Sequence, residues 1–109
     1  MAYDEGLAGR IRDVLDQQPG LVEKKMFGGM AFLVHGNMAC GVHKDMLMVR
    51  VGPDRYDEMM QIPETRPFDL TGRPMKGWLL VEPEGMDNKS TLKDWLKQGV
   101  DFALTLPPK

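Results

Sequence analysis

One cysteine, two histidines and one serine are all that 109 residues offer of the commonest nucleophiles and metal ligands. A single cysteine excludes an intramolecular disulfide and fits a reducing compartment. One cysteine and two histidines do not close a zinc site without carboxylates. With Ser90 as the only serine, no Ser-His-Asp arrangement emerges. Long apolar runs are missing too, and nothing approaches the roughly 18 residues that span a bilayer. The opening stretch, Met1-Ala2-Tyr3-Asp4-Glu5-Gly6, has acids where a secretory signal carries positive charge. A net charge of −2 lacks the basic footprint of a nucleic-acid binder and leaves room only for a local patch. Together these absences predict a cytoplasmic, non-catalytic protein with no cofactor and no metal.

What is present is ordinary globular composition, 42% apolar and 28% charged. The length suits a single domain over residues 1–109, with no repeat, linker or low-complexity segment. Residues 4–18 read as a helix, because Leu7, Ile11, Val14 and Leu15 recur at i, i+4, i+7 and i+8. Asp4 and Glu5 suit its positive end, and Pro19-Gly20 should stop it.

Residues 21–51 change period. Short apolar runs, Val22–Phe27, Met30–Val34, Met38–Val42 and Met46–Val51, are parted by Gly28-Gly29, His35-Gly36-Asn37 and His43-Lys44-Asp45. The links are too short for parallel crossovers, so the runs predict an antiparallel meander, with Gly36-Asn37 as a tight turn. Gly52-Pro53 begins a second helix with Tyr56, Met59 and Met60 on its apolar face, ended by Ile62-Pro63. Residues 63–77 are rich in proline and glycine and irregular, with a short strand expected at Phe68–Leu70. Trp78–Val81 reads as a strand, Pro83-Glu84-Gly85 as a turn, and residues 88–106 as a last helix capped by Asn88 or Ser90. Its stripe is Leu92, Leu96, Ala103 and Leu106, widened by Trp95 and Phe102. The fold class is α+β in two layers: an antiparallel meander sheet with helices on one face.

The strands do not alternate as a half-solvated sheet should. Met30–Val34 and Met38–Val42 are apolar throughout. Three helices cover one face, so the second needs cover from a homodimer, from a protein partner, or from the chain's own loops. Ten methionines suit an adaptable contact surface, which favours another chain.

Several of these segments combine into a pattern. Lys24-Lys25-Met26-Phe27-Gly28-Gly29-Met30-Ala31-Phe32, then Gly36-Asn37-Met38, then Leu47-Met48-Val49-Arg50-Val51-Gly52, and later Gly72-Arg73-Pro74-Met75-Lys76-Gly77-Trp78 resemble the TfoX/Sxy N-terminal domain family. The resemblance runs from about residue 4 to residue 106. It implies a helix, an antiparallel sheet and flanking helices, and a link to regulators of DNA uptake and transcription. Full-length regulators of that kind resemble this chain only in their first half, so a stand-alone single-domain member is the expectation. The family brings no catalytic residues to transfer.

Within the pattern, Lys25, Gly28, Gly29, Arg50, Arg73 and Lys76 form a candidate anion-binding set. Glycine N–H groups can make a nest, and converged basic side chains would hold phosphate or carboxylate. Alternation puts Lys24 and Lys25 on opposite faces, so at most one joins a given cluster. Against this stand the plain readings of Gly28-Gly29 as a turn and of the cations as scattered surface charge. Cys40 and His43 suggest a nucleophile pair, but their spacing puts them on opposite sides of a strand, and a small core thiol is the simpler reading. Trp78 and Trp95 read as core. The functional expectation is therefore a regulatory or adaptor domain acting by protein contact. The alternatives are a nucleic-acid-binding module and a small-ligand binder or enzyme that uses residues 63–77 as a lid.

Overall fold

Asp4 accepts a hydrogen bond from the Leu7 N–H at 3.1 Å and so caps the first helix, α1 (Glu5–Val14), which buries Leu7, Ala8 and Ile11. A computed structural model describes residues 3–26, 28–68 and 76–108 of the chain. The helix is shorter than the apolar spacing predicts. Leu15 is buried but already serves as its C-cap, and its N–H bonds the Ile11 carbonyl.

Four strands follow as a meander: β1 (Leu21–Met26), β2 (Gly29–Val34), β3 (Asn37–His43) and β4 (Met46–Arg50). All three links are two residues long. The second corrects the expected turn. His35 and Gly36, with φ of 52° and 84°, are its central pair, and Asn37 already pairs with Val34 in the ladder. Two successive positive φ values match the twist of a two-residue hairpin, and histidine adopts this conformation more readily than branched residues do. Asn37 is buried because its side chain donates to the Pro107 carbonyl at 2.9 Å, tying the sheet to the chain's last residues.

The chain then forms α2 (Pro53–Met59), β5 (Thr65–Pro67), β6 (Trp78–Val81), a 3-10 turn at Pro83–Met86 and α3 (Lys89–Leu104). The extra strand lies upstream of the expected Phe68–Leu70, whose last two residues fall outside the described residues. The six strands run in the order β1-β2-β3-β4-β6-β5, every neighbouring pair antiparallel. Both edges are defended. Pro67 sits on β5, where a missing N–H is harmless, and β1 carries exposed Glu23, Lys24 and Lys25. Arg12 of α1 grips Glu23 through two hydrogen bonds, at 2.7 and 2.8 Å.

One face of the sheet packs on α1 and α3. Phe32, Val34, Val42, Leu47, Val49, Leu79 and Val81 meet Ile11, Leu92, Trp95, Leu96 and Val100 there. Asn88 caps α3, accepting from the Thr91 N–H at 2.8 Å. No helix among the described residues is long and apolar enough to cross a membrane.

Candidate functional site

The second sheet face has a core of its own. Ala31, Met38, Met48 and Leu80 are buried there with Phe68, and Leu33, Met46 and Trp78 are partly buried around them. Phe68 follows β5 and is 1% exposed. Its ring centroid lies 5.9 Å from that of Trp78 and 6.4 Å from that of His43. The middle of the outer face is therefore roofed by the chain itself, as the own-loop alternative required.

The cover thins toward β1. Val22, Leu33 and Met38 lie opposite one another across three strands. Met38 is 8% exposed, Leu33 is half-buried, and Val22 is 58% exposed. Lys24 is exposed in the next row, facing Ala31 across the strand pair.

The candidate anion-binding set does not converge. Lys25, Gly28 and Gly29 sit at the β1–β2 hairpin, whereas Arg50 closes β4 at the opposite end of the sheet and three strands away. Arg73 falls outside the described residues. Lys76 is exposed and joins the Arg50 corner, because the carbonyl of the next residue, Gly77, accepts the N–H groups of Val51 and Gly52 at 2.8 and 3.1 Å.

Gly29 is required by close approach. A Cβ built there would run into the Val42 carbonyl oxygen. Gly28 takes φ of 73° in the turn. Tight strand contact and turn geometry thus account for the glycine pair.

Arg50 is the singular side chain. Its guanidinium carbon lies 5.0 Å from the Trp78 ring centroid and 5.1 Å from that of Phe102. Arg50 and Trp78 are cross-strand partners, and Phe102 reaches them from α3. Burial pushes the Arg50 guanidinium below its ordinary pKa. The contact with Phe102 was not legible in the sequence, where Phe102 reads only as a wide edge of the helix stripe.

Cys40 and His43 are on opposite sides, as their spacing implies. Cys40 is packed in the helix-side core, and His43 is near Phe68. Burial pushes the Cys40 thiol up from 9.0 to about 12. A folded-state pKa above the unfolded one favours folding while the thiol is protonated in both states, and that contribution is lost as pH rises from 9.0 toward 12. We expect a thiol reagent near neutral pH to label Cys40 at least about a thousandfold more slowly than in denaturant, since labelling must wait for opening. Rapid labelling of the native chain would refute its place in the core. Trp95 is core, as expected, while Trp78 is only half-buried. Among the described residues, no group of three or more histidine, cysteine or acidic side chains is placed to hold a metal ion.

An open antiparallel sheet with helices on one face and a small second core on the other defines a two-layer α+β domain. The TfoX N-terminal domain family model matches residues 13–103, and the chain belongs to that family. No match was found among the curated proteins or among the solved structures.

Proposed function

We propose that the chain is a regulatory or adaptor domain of the competence-regulator kind, which acts by protein contact through the open, β1 end of its outer sheet face. Membership of the TfoX N-terminal domain family supports the regulatory part. The row Met38, Leu33, Val22 carries the contact part, because apolar cover falls away along it and leaves Val22 the more exposed of the two large apolar side chains that stand open among the described residues. A contiguous apolar strip with a charged rim is what a contact surface requires. The charges along β1 discourage extension of the sheet edge to edge, so the contact is face to face. A second copy of the chain is the occupant we favour. It would bring an identical strip, as a two-fold interface demands.

Sedimentation of the chain at micromolar concentration tests this. The wild type is expected to dimerise. Val22→Glu is expected to be monomeric with stability within about 0.5 kcal/mol of wild type, since the side chain is exposed. A wild-type chain that stays monomeric throughout removes the self-association reading.

A further inference from the structure

Five arginines lie among the described residues, and four of them hold an oxygen. Arg10 donates to the Met86 carbonyl, and Arg12, Arg55 and Arg66 pair with Glu23, Glu58 and Glu82. Arg50 has neither an ion pair nor a hydrogen bond among the described residues, although burial lowers its pKa while Arg12, which burial also penalises, is raised by Glu23. A cation partly withdrawn from water and left without a counter-charge is costly, and proteins ordinarily avoid that arrangement.

The surroundings are built to hold it there. Two aromatic rings attract the guanidinium without using its N–H groups. Among the described residues its planar fork of five donors remains unspent, and that fork matches a carboxylate or phosphate bidentately. Gly52 makes the arrangement possible. It has φ of 89°, and a Cβ there would come within 2.6 Å of Phe102 Cε1, so any larger residue would push the ring away from Arg50. The Gly77 carbonyl binds the N–H groups of Val51 and Gly52, which fixes the Arg50 end of β4 against the start of β6 and brings exposed Lys76 to the same corner. Three stretches far apart in sequence thus meet to orient one unpaired cation.

We propose that Arg50, steadied by Trp78 and Phe102, is the seat of an oxyanion-binding site, and that its ligand is a single carboxylate or phosphate group with Lys76 supplying a second positive charge at the rim. This goes beyond the contact reading and stands whether or not the chain self-associates. A preoriented fork loses little freedom on binding, so even a small anion should register.

The test is an NMR titration of the whole chain with sodium acetate and, separately, inorganic phosphate, with sodium chloride as the ionic-strength control. The Arg50 Nε–H and Trp78 indole N–H resonances are followed. Saturable shifts of both, absent with chloride, are expected. Saturation by acetate alone would assign a carboxylate ligand, and tighter saturation by phosphate would assign a phosphate. Arg50→Gln should weaken binding by about tenfold or more, and Arg50→Lys should restore only part of it, because a point charge lacks the fork. Arg55→Gln should leave binding unchanged. If Arg50→Gln does not fold, Arg50→Lys and the wild-type titration decide the matter. Shifts that grow linearly and equally in all three salts, or saturable binding that survives unaltered in Arg50→Gln or Arg50→Lys, would overturn the proposal.

Discussion

Replacing Phe68 with alanine is expected to lower the unfolding free energy by about 3 kcal/mol, the lower end of the range for a buried phenylalanine, because a segment at the surface can partly collapse onto the gap. Phe68 is the buried aromatic of the outer face, lying against Met48, Leu80 and Trp78. Its removal uncovers the buried side chains packed with it, so the effect exceeds that of an ordinary loop substitution. Phe68→Leu keeps most of the volume and should cost less than about 1.5 kcal/mol. Urea denaturation measures both values, and the alanine variant should also bind a hydrophobic dye in its native state. A loss below about 0.5 kcal/mol for Phe68→Ala, the size of a surface change, would mean that the outer face is not roofed by its own chain.

A comparable loss is expected from a single methyl group at the β1–β2 hairpin. Gly29→Ala puts a Cβ into the Val42 carbonyl oxygen, and a backbone atom has no alternative rotamer with which to yield. The start of β2 must separate from the end of β3, at a cost of about 3 kcal/mol or more. Its neighbour is the control. At Gly28 the added Cβ meets nothing within 4 Å, so Gly28→Ala should cost only the left-handed backbone strain, about 1 kcal/mol. Thermal unfolding of the two variants should therefore rank them clearly. Equal losses would contradict the close approach of the strands.

Much of the meander was legible because its turns are so short that only antiparallel pairing fits them. Trp78–Val81 was legible because its apolar run is bounded by turn residues on both sides. The errors share a physical cause. Leu15 continues the spacing of α1 and is buried like the rest, yet apolar period alone does not register that its N–H makes the last α-helical hydrogen bond, to Ile11, before the chain turns away. His35 and Gly36 form the turn in place of Gly36 and Asn37, and the sequence did not show it because the partner of the buried Asn37 side chain, the Pro107 carbonyl, lies at the far end of the chain.

The lack of alternation in β2 and β3 correctly announced two covered faces. It carried no information about what covers the second, because Phe68 is one aromatic in an irregular segment. The candidate anion set failed as a set for a similar reason. Lys25 and Gly28-Gly29 share a motif with Arg50 in sequence, but the strand order puts them at opposite corners of the sheet. What singles out Arg50 is Phe102, whose position depends on how α3 crosses the sheet.

The reading of this domain rests on an outer sheet face that is closed at its centre by its own Phe68 and open at its β1 end. The most direct measurement is a NOESY spectrum of the chain recorded over a dilution series. The account predicts cross-peaks from the Phe68 ring to the Trp78 indole, the Met48 methyl and the His43 ring, unchanged on dilution. A Phe68 ring with unstructured shifts and none of these cross-peaks, or cross-peaks that vanish as the chain is diluted, would contradict it.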